Sequence, residues 1–156
     1  MTSMTASAEP WLRRFHPVIR MLEALQPAAL LAARGYVGWA FFVSGLTKLR
    51  DWDTTLALFA DEYQVPLLSP EVAALAGTAG ELVLPVLLVA GLAGRFAAAG
   101  LSAVNIVAVI SLAEIAPAAL QQHQFWGSLL IAVLLWGPGR WSLDALLAPR
   151  LRGKAG

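Results

Sequence analysis

Four hydrophobic stretches, nearly empty of charge, constrain the fold of this chain more than any other feature. Residues 27–46 contain one charge, Arg34, and residues 72–94 contain one, Glu81. Residues 96–114 are uncharged up to a closing Glu114. Residues 120–137 carry no Lys, Arg, Asp or Glu, but their apolar part begins only at Phe125, after Gln121, Gln122, His123 and Gln124. A helix crosses the bilayer core with about 20 apolar residues. The first three stretches approach that length, and the fourth does so once polar turns are added at one surface. Trp126 and Trp136 near its ends suit interfacial belts. The alternative for the fourth stretch is a buried helix in a soluble core.

Composition favours lipid as the main solvent. Hydrophobic residues make up 58% of the 156 and charged residues 13%, against about 45–50% and about 25% in soluble domains. Mean hydropathy is +0.67. Too few polar side chains remain to cover a soluble domain. The net charge of +1 excludes a broad basic face for nucleic acid. The absence of Cys excludes disulfides, thiolate metal sites, iron–sulfur clusters and cysteine nucleophiles. Redox chemistry would need a borrowed cofactor or a partner protein, and no metal site or intrinsic cofactor is expected.

The expected fold is all-α: a membrane four-helix bundle with short interfacial helices in the N-terminal arm and in the first outer loop. Arg13, Arg14, Arg20, Arg95, Arg140, Arg150, Arg152 and Lys154 fall in the two termini and the short turn between the second and third spans, whereas the other loops hold Lys48 and Arg50. The positive-inside rule then places both termini in the cytoplasm. The chain divides into a cytoplasmic arm (1–26), a membrane domain (27–139) with spans at 27–46, 72–94, 96–114 and 120–137, and a cytoplasmic tail (140–156). No cleaved export signal is expected. Trp52, Leu56, Phe59 and Tyr63 form one helical stripe in the first outer loop, ended by Val65-Pro66. Trp11, Phe15, Val18, Leu22 and Leu25 form another in the arm, where Pro17 marks the expected helix start. Either stripe suits lipid or the protein's own bundle. Pro85 is expected to kink the second span.

Ionisable side chains inside spans are costly and need partners. Arg34 lies 12 residues before Leu46, and Glu81 lies 10 residues after Glu71. At about 1.5 Å per residue, both reach midplane from opposite chain directions. Asn105 arrives at a similar depth. A buried cluster of Arg34, Glu81 and Asn105 is therefore expected, either as a register-fixing device or as a ligand or proton site. A second set, Lys48, Glu114 and His123, gathers at the outer ends of the spans. It is a candidate proton or ligand site, although outward Lys and His also serve as ordinary surface groups. Gly137-Pro138-Gly139 ends the fourth span, Ser142 can cap a short terminal helix, and Asp144 lies in its first turn. That tail motif reads as structural.

Taken in order, Arg34, Gly38, Gly45 and Lys48, then Gly80-Glu81 and Gly91, then Gly137-Pro138-Gly139 with Ser142-Leu143-Asp144, resemble the DoxX family of small bacterial membrane proteins. The resemblance runs from about Arg34 to Asp144. It implies a four-helix inner-membrane protein and makes quinone-linked redox or oxidative-stress work an expectation, with quinone as bound ligand and a redox protein as partner. Lipids and a second copy of the chain are further expected partners. A non-catalytic membrane scaffold and a small proton-coupled transporter remain as alternatives.

Overall fold

In the computed structural model, backbone is described for residues 9–152 and side chains for residues 15–149. Trp11, Arg13, Arg14, Arg150, Arg152 and Lys154, which enter the charge and stripe arguments, have side chains outside that range. The described chain is all-helical: α1 Glu9–Arg50, α2 Trp52–Asp61, α3 Pro70–Ala90, α4 Gly94–Ile110, α5 Pro117–Trp136 and α6 Leu143–Arg152. Packing joins α1 to α3, α3 to α4, α4 to α5, and α5 back to α1.

The N-terminal arm differs from expectation. It is no separate interfacial helix; its described part is the first portion of α1, which runs through Pro17 and Pro27 for 42 residues. A proline removes one backbone donor, and that alone does not stop a helix when good helix formers surround it. The intervening Met, Leu, Glu, Ala and Gln residues supply no cap, glycine or turn between residues 18 and 26. Pro85 likewise sits buried inside an uninterrupted α3.

Glycine sets how closely α1 approaches α3. A Cβ at Gly38 would stand 2.5 Å from Val89 Cγ2, and one at Gly45 would stand 2.9 Å from Leu82 Cγ. These contacts fix an antiparallel register in which residue 38 faces 89 and residue 45 faces 82. Val37 and Phe41 from α1, Leu88 from α3, Leu101 from α4, and Leu130 and Val133 from α5 share one buried core.

Helix ends are tied by distant residues. Ser69 caps α3, and Pro70 occupies its first turn, where a missing donor costs little. Gly91, at φ 66°, ends α3 and lets the Leu92 amide reach back to the Leu87 carbonyl. The N-terminus of α4 has no local side-chain cap. Asp144 from α6 supplies one instead, accepting the amides of Ala93 and Gly94 at 2.8 Å each. Ser142 Oγ accepts the Ala145 amide at 3.2 Å and donates to the Gly139 carbonyl at 2.6 Å. The turn before it needs left-handed backbone at Gly137 and Gly139, both at φ 82°.

The stripe on α2 packs inward. Phe59 is buried against Ala73 and Ala74 of α3, with Trp52, Leu56, Tyr63 and Val65 around it. Asp51 Oδ1 caps α2 through the Thr54 amide at 3.0 Å. After α2, Tyr63 bridges to Leu112, and the Gln64 amide donates to the Ser111 carbonyl at 2.8 Å. The α2 segment and the loop after it thus form a roof attached to the far end of α4.

Two helical segments, Phe15–Arg50 and Pro70–Ala90, are long and apolar enough to cross a membrane. The expected third span is apolar but 17 residues long. The expected fourth, α5, has 20 residues, but Gln121, Gln122, His123 and Gln124 dilute its apolar character.

Candidate functional site

A cavity of about 610 Å³ opens beneath the roof, between α1, α3, α4 and α5. That volume lies inside the roughly 300–1,000 Å³ range of small-molecule sites. Its walls are apolar: Phe41 and Ala40 from α1, Ala73 and Ala76 from α3, Val104 and Val107 from α4, and Trp126 from α5. Phe59, Tyr63, Val65 and Leu68 close the roof side. A few polar groups are set into this lining.

The first is an ion pair. Lys48 Nζ lies 2.5 Å from Glu81 Oε2 and donates to Ser44 Oγ at 3.1 Å. Ser44 stands one helical turn before Lys48, so both face the cavity from α1. Gly45 between them lets α1 close on Glu81, because any Cβ there would stand 3.1 Å from Glu81 Cβ. The pair is mostly withdrawn from solvent, with side-chain exposures of 20% for Lys48 and 9% for Glu81. A charge pair this dry is held by short geometry and by its extra hydrogen bond.

The second polar group is His123. Its Nδ1 lies 2.7 Å from Asn105 Oδ1, while Asn105 Nδ2 donates to the His123 carbonyl at 3.0 Å. The imidazole stands edge-on to Trp126, centroids 5.1 Å apart, and Trp126 leans on Phe41 at 5.5 Å. The Trp126 indole Nε1 is buried with no hydrogen-bond partner among the described residues. Tyr63 completes the polar set from the roof, its phenol held above its usual range by burial and by the neighbouring negative charges of Glu62 and Glu81.

The expected cluster of Arg34, Glu81 and Asn105 is not formed. Glu81 pairs with Lys48, and Asn105 pairs with His123. Arg34 lies at the opposite end of the helices. Its Nη1 donates to the carbonyls of Leu88 at 3.2 Å and Val89 at 3.0 Å, and its Nη2 to the Trp141 carbonyl at 2.5 Å. It is fully buried and caps the C-terminus of α3, where unpaired carbonyls and the helix dipole favour a cation. Depth counted from guessed span ends caused the error. The observed register puts Glu81 beside Gly45, which is 11 residues, about 16 Å, along α1 from Arg34.

The outer set is brought together in part. Lys48 and His123 line the cavity, whereas Glu114 is exposed in the loop after α4 and does not line it. Asp144 and Ser142 belong to the Arg34 end. Sequence reasoning did not single out Ser44, Phe41 or the unpaired indole of Trp126 as site residues. Ser44 carried a faint signal, four residues before Lys48. Trp126 reads from sequence as an interfacial-belt residue, whereas in the structure it packs on Phe41 in the cavity wall.

The family model described as DoxX matches residues 29–114, more than half the chain. Comparison with curated proteins finds no match, and comparison with solved structures finds none either.

Proposed function

From its place in the DoxX family, a family of membrane-associated proteins to which this chain belongs, we propose a four-span inner-membrane protein that binds a quinone in the cavity beneath the roof. It serves a membrane redox or oxidative-stress system as a quinone-linked accessory. The spans are α1, α3, α4 and α5, with both termini cytoplasmic and the roof facing outward. The membrane reading draws support from inverted polarity. Trp39, Val83, Val86, Phe96, Ile106, Ile131 and Leu135 are exposed, while Arg34, Glu81 and Asn105 are buried. Such a surface is costly in water and ordinary in lipid.

One observation carries the ligand reading: an apolar cavity of about 610 Å³ holds Lys48, Glu81 and His123 on its wall. A quinone ring fits that chemistry, with a flat apolar body and polar edges. Phe41 and Trp126 supply aromatic walls. Lys48 is available as a donor, and the unpaired Trp126 indole N–H is a buried donor whose isolation costs about 1–3 kcal/mol. The chain's own residues bind and orient the ring, exclude water through the roof, and hold charge at Lys48 and Glu81. A bound quinone supplies two-electron carriage between partners.

Mass spectrometry of an organic extract from protein purified in mild detergent tests this. Near-stoichiometric quinone in the native protein, lost in Glu81→Gln, is the expected result. Absence of enriched quinone from the native sample would overturn the reading and leave the Lys48–Glu81 pair as a packing device in a non-catalytic scaffold.

A further inference from the structure

The hydrogen bonds around His123 determine which of its ring nitrogens carries the proton. The His123 backbone carbonyl can only accept, so the Asn105 atom facing it at 3.0 Å must be the amide Nδ2. The Asn105 carbonyl oxygen is therefore the atom turned towards His123 Nδ1 at 2.7 Å. Because that oxygen can only accept, Nδ1 must carry the hydrogen. Above the ordinary histidine value of about 6.5 the ring is neutral, and a neutral ring protonated at Nδ1 has a bare lone pair at Nε2. Among the described residues Nε2 has no hydrogen-bond partner. His123 lines the cavity, so the polar atom it has left to offer a ligand is an acceptor.

We infer that the site is built for a ring carrying a hydroxyl group, the reduced hydroquinone form, which donates its O–H to His123 Nε2. This rests on the quinone reading and specifies which form of the ligand the cavity prefers. An oxidised quinone presents carbonyl oxygens, which can only accept. Facing a bare Nε2, such an oxygen would leave two acceptors opposed. A hydroquinone hydroxyl pairs with Nε2, and its oxygen can also accept from a cation. Lys48 lines the same cavity, and its ammonium has three N–H donors, of which Glu81 and Ser44 occupy two. Asn105 acts as a positioning residue. It touches no ligand but fixes the tautomer, and the edge-on Trp126 packs against the ring so held.

The test uses the full-length protein in detergent at pH 8, without oxygen. Tetramethylhydroquinone, tetramethylbenzoquinone and the dimethyl ether of the hydroquinone serve as probes. The hydroquinone is expected to bind about tenfold more tightly than the quinone or the ether, the effect of one hydrogen bond gained against one acceptor opposed. Nitrogen-15 NMR of labelled histidine, in a His16→Asn background that leaves His123 as the one histidine, is expected to show Nδ1 protonated and Nε2 bare. In Asn105→Leu, the tautomer signal is expected to become mixed and the tenfold preference to shrink towards unity. Equal binding of hydroquinone and quinone, or protonation at Nε2 in the native protein, overturns the inference while leaving quinone binding intact. Binding of no probe overturns the quinone reading itself, and the inference with it.

Discussion

Replacing Lys48 by methionine tests whether the cavity depends on a charge pair or on shape alone. Methionine keeps most of the side-chain length and removes the cation. Glu81, with a side chain only 9% exposed, would then face a largely apolar wall without its partner at 2.5 Å. Stranding a buried charge typically costs about 3–5 kcal/mol. The partial exposure of the pair puts the expectation at the lower end of that range. Lys48→Met is therefore expected to lose about 3 kcal/mol. The double variant Lys48→Met with Glu81→Leu removes both charges and should return to within about 1 kcal/mol of the native protein. Reversible unfolding in detergent micelles, followed by circular dichroism, measures both variants against the native protein. A loss below about 0.5 kcal/mol for Lys48→Met, or a double variant as unstable as the single, would refute the reasoning. Quinone content measured on the double variant separates function from folding, since a well-folded variant without quinone assigns the pair a role in binding.

Three further outcomes follow from contacts elsewhere. Asp144→Ala removes the carboxylate that accepts two amides at the start of α4; it should cost about 2 kcal/mol in the same unfolding assay, and a change under about 0.5 kcal/mol would contradict the capping role. Gly45→Val places a branched side chain where a single Cβ already meets Leu82 Cγ at 2.9 Å; a destabilisation of about 1–3 kcal/mol is expected, together with a weakened Lys48–Glu81 contact, and unchanged stability would show that α1 and α3 separate freely. The Asp51 carboxyl is held below its usual range by hydrogen bonds from the Thr54 hydroxyl and amide. A lowered folded value means stability that is present above the unfolded value near 3.9 and lost as pH falls through the folded one. Protection of the α2 amides, taken relative to their intrinsic exchange rate at each pH, should therefore fall on acidification in the native protein and fall less in Asp51→Asn, whose cap does not titrate; identical acid responses would sink that account.

Apolar length and helix punctuation made much of the fold readable from residues alone. The stretches 72–94, 96–114 and 120–137 fall on α3, α4 and α5 with ends a few residues apart, because Pro70, Gly91, Pro117 and Gly137 stop or start helices by local geometry. The stripe from Trp52 to Tyr63 appeared for the same local reason. Register between helices was not local. Gly38 and Gly45 are seven residues apart and face Val89 and Leu82, also seven apart, but that correspondence shows only when both helices are in hand. Matching Arg34 to Glu81 by charge therefore paired residues that lie far apart along the helices, only one of which lines the cavity.

Partner type explains which polar residues could be found. The Nη atoms of Arg34 donate to three backbone carbonyls, and Asp144 accepts from two backbone amides. Every residue owns such groups, so no residue type signals the contact in advance. Those bonds clamp α3, α4 and the tail together at one end, and a ligand could displace them only by opening helix termini. At the other end, Lys48, Glu81, Asn105 and His123 pair chiefly through side chains around the cavity. Side-chain pairs can exchange partners by rotamer change without unwinding a helix, and they border space that a small molecule can enter. The Arg34 end is therefore the anchor, and the His123 end is where binding and proton movement have room to occur.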